Sequence, residues 1–310
     1  MSDTESKTPR VYTANPVSPA NVAVKTLPPY PPYPEIPDVS PRIRLIAVDL
    51  DDTLLTSNHI ITQRTKDAIQ EARGRGIIFT FATGRMFLSA LPYAIELGLD
   101  APLITYLGAY ICSVGERPRS HLTIDRRTCV DVLNFLKPRG LQINVYIGDS
   151  FYVEHLTPQV EKYRNTIGAQ CFETPDLVKL FDEFPQGATK IGIMTDAELG
   201  PVIYEELQSR FGDILSIIPS KPTFTELSRP DTGKGVALAA MAAELNISPE
   251  HIMAIGDSPN DEDMIEYAGW GIVMANGDEN LKRKARWVTA SNDEDGVAIA
   301  IERLALGQNV

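Results

Sequence analysis

The stretch "LIAVDLDDTLLTSN", residues 45–58, decides the fold of this chain. Four apolar residues come first, and three carboxylates follow, those of Asp49, Asp51 and Asp52. A short apolar run of this kind is typical of a strand buried on both faces of a parallel sheet. Like charges a few ångströms apart repel by about 1 kcal/mol per pair even in water. We therefore expect a positive charge among these carboxylates, and the rest of the chain decides whether it is a metal ion, a lysine or nothing.

Strand and helix patterns alternate along the chain from Arg42 onward. "TQRTKDAIQEARGRG" has the spacing of an amphipathic helix with a glycine at its end, and "IIFTFATG" has that of a second buried strand. A helix and a third strand follow in "MFLSALPYAIELGL" and "APLITYLG", and "EHIMAIGD" and "GWGIVMA" supply two strands near the C-terminus. This alternation predicts an α/β fold with a doubly wound parallel sheet, whose ligands bind beyond the carboxyl ends of the strands.

Two segments do not fit this sheet. Residues 122–223 contain helices and adjacent strands without acidic residues at the strand ends, which predicts an inserted α/β cap domain that covers the site. The core then comprises residues 42–121 and 224–310. Residues 1–41 contain "TLPPYPPYPEIPDVSP", whose prolines favour extended conformations over a packed core and predict a disordered extension.

The composition limits the possible classes of protein. A chain of 310 residues with 43% hydrophobic and 23% charged residues is typical of a soluble globular enzyme with two domains. The net charge of -12 disfavours general binding to nucleic acid or to anionic membranes. The three cysteines are far apart and odd in number, which fits unpaired thiols in a cytoplasmic protein. Neither the cysteines nor the four histidines have the spacing of a zinc site.

Four groups of polar residues fall where strands end or a helix begins. In chain order they are Asp49 with Asp51, Thr83 in "FATGR", Lys234 in "PDTGKGVALAAMAAEL", and Asp257 with Asp261 in "AIGDSPNDEDMI". Each group alone has an ordinary explanation, such as a turn or a helix start. In a doubly wound sheet, however, all four converge at one crevice. Turns alone do not explain four such groups in this order.

The residue types at these positions predict phosphoryl chemistry with magnesium. Asp49, Asp257 and a backbone carbonyl near Asp51 offer oxygen ligands without histidine or cysteine, which suits Mg²⁺ rather than zinc. The Thr83 hydroxyl, nearby backbone N–H groups and the Lys234 ammonium can hold phosphate oxygens as charge shifts in the transition state. Asp49, positioned in line with the phosphorus, would then be the nucleophile.

The motifs "DLDDTLL", "FATGR", "TGKG" and "GDSPNDEDM" resemble, in order and spacing, the four motifs of haloacid dehalogenase (HAD) superfamily phosphatases. "GWGIVMANGDENLKRKARWVT" and "SNDEDGVAIAIERL" resemble C-terminal segments of the Cof-type branch, and the insert resembles the large α/β cap of that branch. The resemblance runs from about Arg42 to Leu304. It implies a HAD-like, Rossmannoid core and Mg²⁺-dependent hydrolysis of small-molecule phosphomonoesters, through an aspartyl-phosphate. Sugar phosphates, nucleotides and cofactor phosphates are the expected substrates.

The resemblance also implies a role for each matching residue. Asp49 matches the nucleophile, and Asp51 matches the general acid/base that protonates the leaving alcohol and then activates water. Asp49, the main-chain carbonyl of Asp51 and Asp257 match the magnesium ligands. Asp261 matches a carboxylate behind them that steers Lys234 or a metal-bound water. The positions that match phosphate- or substrate-binding residues are Thr83, Gly84, Arg85, Lys234 and Asn260.

One position departs from the family pattern. Relatives commonly have asparagine before the Gly-Ala that follows the third strand, whereas this chain reads "ITYLGAY" with Leu107. A polar contact is thereby removed, so that the substrates of relatives do not transfer in detail, although every residue of the phosphoryl chemistry is present. Asp52 is given a structural role, because the chemistry does not need a third free carboxylate.

Two other functions stay open on the sequence. A phosphomutase with the same nucleophile and a similar cap would return the phosphoryl group to a sugar instead of to water. A receiver-like signalling module also gathers aspartates, Mg²⁺, threonine and lysine on a parallel sheet, but it needs no large cap, and Asp51 argues for turnover. In each enzymatic case we expect a small phosphorylated metabolite as the partner, no nucleic acid or membrane, and a monomer or homodimer.

Overall fold

The structure is a computed structural model that describes residues 43–308, so the predicted extension over residues 1–41 lies outside the described residues. Within this range the chain divides into two compact units. Residues 43–121 and 231–308 form the first, here called the core unit, and residues 122–230 form the second, here called the inserted unit.

Strands and helices alternate through both units. The strands are β1 (Leu45–Val48), β2 (Ile78–Phe81), β3 (Leu103–Thr105), β4 (Tyr110–Cys112), β5 (Ser120–His121), β6 (Gln142–Ile147), β7 (Ser150–Val153), β8 (Gln170–Glu173), β9 (Lys190–Met194), β10 (Ser216–Lys221), β11 (Phe224–Ser228), β12 (Ile252–Gly256), β13 (Trp270–Val273) and β14 (Trp287–Val288). The α-helices are α1 (Gln63–Gly74), α2 (Phe87–Glu96), α3 (Arg126–Leu136), α4 (Pro158–Ile167), α5 (Leu180–Glu183), α6 (Leu199–Phe211), α7 (Lys234–Glu244), α8 (Glu262–Tyr267), α9 (Glu279–Lys282) and α10 (Gly296–Ala300).

The core unit is built on a parallel sheet with the strand order β14-β13-β12-β1-β2. Its central strand, β1, is buried on both faces, because successive side chains of a strand point to opposite sides. Ile46 and Val48 pack into a cluster with α1, α2 and α10, and Leu45 and Ala47 pack into another with α7 and α8. The predicted fold class, a doubly wound parallel sheet with an additional α/β insert, is confirmed.

The predicted third strand is shorter in the structure than the apolar run "APLITYLG". Only Leu103–Thr105 is extended, and it joins the parallel sheet through a single bridge between Ala82 and Ile104. The strand ends because Tyr106 and Leu107 adopt positive φ angles of 52° and 54°. The chain then returns antiparallel along β4 and β5.

The inserted unit contains a six-stranded sheet with the order β10-β11-β9-β6-β7-β8. Its strand pairs are antiparallel except for β7 with β8. Apolar side chains of β6 and β9, such as Val145 and Ile191, pack against α3 and α6. The boundary expected at Thr223 falls short, because β11 pairs with β9 and β10 and the unit therefore extends to Pro230.

Two expectations from composition also have structural counterparts. The three cysteines, Cys112, Cys129 and Cys171, are buried thiols that form no disulfide. Over residues 43–308, every helix is too short or too polar to cross a bilayer.

Candidate active site

Three neighbouring strands of the core sheet lead into residues that the sequence singled out. Asp49 follows β1, Asp257 follows β12, and Thr83 comes two residues after β2. Because β1 lies between β12 and β2 in a parallel sheet, their carboxyl ends share one edge. The Asp49 N–H donates to the carbonyl of Ile255 in β12 (3.0 Å), which extends the strand pairing up to the carboxylate.

The turn after β1 carries Asp49 and Asp51, and the two carboxylates differ in their exposure to solvent. Asp51 is extended (φ -72°, ψ 130°) and Asp52 is left-handed (φ 58°), a conformation that aspartate tolerates better than most residues. The Leu54 N–H closes the turn on the Asp49 carbonyl (3.2 Å). Asp49 is thereby buried, at 5% exposure, whereas the side chain of Asp51 is 43% exposed.

Lys234, the first residue of α7, supplies a positive charge among these carboxylates. Its Nζ lies 2.7 Å from Asp49 Oδ1 and 2.6 Å from Asp261 Oδ1, and its side chain is 1% exposed. Burial disfavours the ammonium, but the carboxylates of Asp261 and Asp49 outweigh this effect and raise the pKa of Lys234. The lysine is therefore positive at neutral pH and joins Asp49, directly after β1, to Asp261 in the loop after β12.

One lysine does not balance the site. Four carboxylates (Asp49, Asp51, Asp257 and Asp261) meet two cations (Lys234 and Arg85), which leaves an excess of two negative charges when all are ionised. Burial, followed by the neighbouring carboxylate of Asp261, raises the pKa of Asp257 to about 7. Burial is also the main cause of a raised pKa at Asp49, and Lys234 only partly opposes it. A divalent cation would balance this excess.

The oxygens of the cluster fit a hard cation. Asp49, Asp257 and Asp261 each offer a carboxylate oxygen within 4.8 Å of the others. Both oxygens of Asp261 already have partners, because Oδ1 accepts from Lys234 and Oδ2 accepts from the N–H groups of Asp257 and Ser258 (3.0 Å each). Asp257 and Asp49 are therefore the better candidates for metal ligands, while Asp261 orients Lys234 and the loop that carries Asp257.

Arg85 connects Asp51 to the segment after β2. Its guanidinium forms a bidentate pair with Asp51, with Nε 2.7 Å from Oδ2 and Nη2 2.6 Å from Oδ1. Its backbone N–H donates to the Thr83 hydroxyl oxygen (3.1 Å), and its side chain lies over the ring of Tyr93. Burial lowers the pKa of Arg85, but the bonds to Asp51 outweigh burial and raise it. Arg85 is thus held in place by its contacts with Thr83 and Tyr93, whereas the side chain of Asp51 is the more exposed of the pair.

The remaining predicted residues are less closely tied to this cluster. Gly84 is half-buried between Thr83 and Arg85. Asn260 precedes Asp261, and its amide oxygen accepts a hydrogen bond from the Ser258 hydroxyl (3.1 Å) within the same loop rather than contacting Lys234.

Two residues that the sequence did not single out support the site. The Thr53 hydroxyl donates to Asp257 Oδ1 (2.6 Å), and Asp263 Oδ2 accepts from the Gly235 N–H (2.8 Å) in the first turn of α7. Thr53 thereby fixes a candidate metal ligand, and Asp263 fixes the helix start that carries Lys234. A hydroxyl four residues after the first aspartate was a visible signal for Thr53, whereas nothing local marked the partner of Asp263.

The comparisons with known proteins agree with this arrangement. A family model described as haloacid dehalogenase-like hydrolase matches residues 46–301. The chain belongs to this family. Phosphatase YwpJ of Bacillus subtilis (strain 168) is 30% identical over 84% of this chain and 100% of its own length. Stress response protein YhaX of the same strain is 34% identical over 82% of this chain and 91% of its own length.

A solved structure gives the same assignment for the fold. The crystal structure of a haloacid dehalogenase-like hydrolase from Bacteroides thetaiotaomicron superposes with a TM-score of 0.77 at 29% identity, and the match covers 84% of this chain and 99% of that one. The family resemblance is confirmed, and so is the expected enzyme class, a phosphoric monoester hydrolase of the HAD type. Family membership also separates the chain from receiver-like signalling modules.

Proposed function

We propose that this HAD-type phosphatase hydrolyses small phosphomonoesters with Mg²⁺ and through a phosphorylated Asp49. The observation that carries the proposal is the bridge made by Lys234 between Asp49, directly after β1, and Asp261, in the loop that follows the adjacent strand β12. A carboxylate at the end of a central strand can approach a phosphorus atom only if the charge of the phosphate is neutralised nearby. The Lys234 ammonium contributes to that neutralisation.

Asp49 is the proposed nucleophile because it is buried and held from two sides. Its backbone is tied to β12, and its Oδ1 accepts from Lys234. Attack by an Asp49 oxygen on the phosphorus forms an acyl phosphate and expels the alcohol. Lys234 and the Thr83 hydroxyl hold the other phosphate oxygens as charge moves toward them.

Asp51 is the proposed general acid and base. It protonates the departing alkoxide, and then it removes a proton from the water that attacks the acyl phosphate. In the structure both of its oxygens accept from Arg85. Asp51 must therefore exchange at least one of these bonds for the leaving group during turnover. Its side chain, being the more exposed of the pair, is the one that can move.

The residues present fit Mg²⁺, and three groups would hold it. These are the carboxylates of Asp49 and Asp257 and the main-chain carbonyl of Asp51, an all-oxygen set that suits a hard cation. When bound, the ion would supply charge stabilisation for the phosphate oxygens. Thr53 holds Asp257 in place, and Asp261 keeps Lys234 aimed at Asp49.

The proposal is tested by phosphate release from a panel of sugar phosphates, nucleotides and cofactor phosphates with and without Mg²⁺. We expect release that stops when EDTA is added and resumes when Mg²⁺ is restored. Absence of release from every ester in the presence of Mg²⁺ would contradict the proposal. With a sugar monophosphate, an isomeric sugar phosphate in place of free phosphate would indicate the phosphomutase alternative.

The physiological substrate is proposed only as a class, a small phosphorylated metabolite. A cytoplasmic location remains a prediction from the cysteines. It agrees with the three buried cysteines, which form no disulfide.

A further inference from the structure

Three consecutive residues at the end of β3 adopt a left-handed backbone. Tyr106, Leu107 and Gly108 have φ angles of 52°, 54° and 89°. The first two carry large side chains, which are 0% and 2% exposed. This conformation costs roughly 1–2 kcal/mol per non-glycine residue, and runs of it are rare. Strain of this kind persists only where surrounding contacts impose it.

The contacts that impose it begin at the Thr83 loop (residues 83–85). The Tyr106 N–H donates to the Arg85 carbonyl (2.9 Å), and the Leu107 N–H donates to the Thr83 carbonyl (3.1 Å). Two successive N–H groups thus point to the same short loop, which an extended strand cannot achieve because its N–H groups alternate in direction.

The third residue of the turn touches a different element. A Cβ added at Gly108 would lie 2.2 Å from the Gly233 carbonyl oxygen and 3.1 Å from Ala237 Cβ. Gly233 directly precedes Lys234, and Ala237 lies one turn further along α7. The backbone of Gly108 is therefore packed against the start of the helix that carries the lysine.

We infer that the turn Tyr106–Gly108 is a positioning element that sets the distance between the Thr83 loop and the start of α7. It thereby fixes the Thr83 hydroxyl relative to the Lys234 ammonium. The inference rests on the proposed function, in which these two groups hold the same phosphate. Leu107 takes part through its N–H, so its side chain can differ from the asparagine of relatives without loss of this contact.

The first test compares two glycine substitutions with matched backbone strain. Gly108→Ala places a Cβ about 0.8 Å closer to the Gly233 oxygen than real Cβ atoms are found, so the helix start must shift. Gly115→Ala is the control, because Gly115 also has a positive φ (77°) but is exposed and has open space around the added Cβ. Thermal unfolding measures the cost of the left-handed alanine in both variants.

We expect kcat of Gly108→Ala to fall by about 10- to 100-fold relative to Gly115→Ala, since misplacement of about 1 Å can cost that much. The factor should be similar for an aryl and an alkyl phosphate, because Tyr106 and Leu107 are buried and the turn acts through the groups that hold the phosphate, which both esters share. Titration calorimetry with inorganic phosphate and Mg²⁺ should show a weaker Kd in Gly108→Ala only. A variant that only loses folding stability would keep the wild-type kcat and the wild-type Kd for phosphate under conditions in which it is folded.

A second pair of variants decides the question if Gly108→Ala does not fold. Ala237→Val enlarges the helix side of the same contact without a left-handed residue, and Ala240→Val, exposed on the same helix, is its control. The expected loss of kcat and of phosphate affinity is again confined to the first variant.

The inference is overturned if the variants at positions 108 and 237 match their controls in both kcat and phosphate affinity. That outcome leaves the proposed function intact when the wild type is active. If the wild type releases no phosphate from any ester, the proposed function fails instead. The affinity for inorganic phosphate then decides the positioning role by itself.

Discussion

The two units each bury a lysine against carboxylates, but the charge around the two lysines differs. In the inserted unit Lys190 pairs with Glu226, and the two side chains are 3% and 7% exposed. In the core unit Lys234 faces Asp49 and Asp261, and further carboxylates lie beside these. The charges of Lys190 and Glu226 cancel each other, whereas the carboxylates around Lys234 outnumber the cations that face them. The excess of negative charge, rather than the burial of a lysine, indicates a further positive partner in the core unit.

The positions of the two lysines in their sheets support this distinction. Lys190 lies within an antiparallel sheet, and its Nζ is 4.6 Å from the centre of the Tyr146 ring. Lys234 begins a helix beside the carboxyl ends of parallel strands, where ligands bind in doubly wound folds. Burial disfavours the charge on Lys190, and Glu226 outweighs it and raises the pKa of Lys190, as Asp261 and Asp49 do for Lys234. The direction of the pKa shift therefore does not distinguish a site from a structural pair, whereas the charge balance does.

The largest expected effect is the loss of phosphate release when Asp49 of the core unit is replaced, without a matching loss of folding stability. Asp49→Asn should lower phosphate release by roughly 10⁴-fold or more, as removal of a catalytic nucleophile does in other enzymes. Burial raises the pKa of Asp49 in the folded protein above its ordinary value of 3.8, so protonated Asp49 favours the folded state. This contribution to stability is present at low pH and is lost as the pH rises and the carboxyl ionises. In EDTA at pH 8 the variant should therefore be at least as stable as the wild type.

Phosphate release and urea unfolding of the same samples check both parts of this expectation. The stability difference in favour of Asp49→Asn should shrink as the pH is lowered toward 4. A variant that unfolds far more easily than the wild type at pH 8 would mean that Asp49, like Glu226, serves mainly as the partner of its lysine.

The next effect is on the folding stability of the inserted unit and concerns the ion pair of Lys190 with Glu226. Glu226→Gln removes the carboxylate that faces the buried Lys190 ammonium, which should cost about 3–5 kcal/mol in the free energy of unfolding of the inserted unit. The matched control is the double variant Lys190→Met with Glu226→Leu, which removes both charges and should recover most of this loss. Urea unfolding measures both. If the double variant is as unstable as the single one, packing rather than charge explains the pair.

The smallest effect concerns the support of the metal site. Thr53→Val removes the hydroxyl that donates to Asp257, and a hydrogen bond to a charged group is worth about 1.5–3 kcal/mol. The Mg²⁺ concentration for half-maximal activity should therefore rise roughly tenfold or more, since 1.4 kcal/mol is a factor of ten. Thr56→Val is the control, because Thr56 is also buried but its hydroxyl bonds the Ile60 carbonyl. Equal Mg²⁺ requirements in the two variants would remove Thr53 from the site.

The parts of the structure that the sequence predicted follow from local patterns. The apolar run of β1 and the alternation after it predict a parallel sheet, and the geometry of such a sheet brings the ends of β1, β2 and β12 to one edge. The placement of Asp49, Thr83 and Asp257 after these strands follows directly.

The parts that it did not predict depend on partners far away in the chain. The bond from Thr53 to Asp257 joins residues 204 positions apart, and the pair of Arg85 with Asp51 depends on side-chain conformation. The end of the inserted unit was misplaced because β11 has the pattern of any half-buried strand. Only its pairing with β9 assigns it to the inserted unit. The left-handed turn at Leu107 had no signal, because leucine is not a residue that favours this conformation.

The central claim is that Asp49 receives the phosphoryl group while Asp51 moves the proton, and Asp51→Asn tests it most directly. General acid/base help is worth about 10²- to 10⁴-fold, so hydrolysis of the phosphorylated enzyme should slow far more than its formation from an aryl phosphate. Rapid-quench mixing should then show a burst of phenol near one per enzyme, and peptide mass spectrometry should find phosphate on Asp49. With an alkyl phosphate no burst should occur, because its alkoxide leaves poorly without an acid. Phosphate on Asp51 of the wild type, or normal hydrolysis of both esters by the variant, would contradict the account.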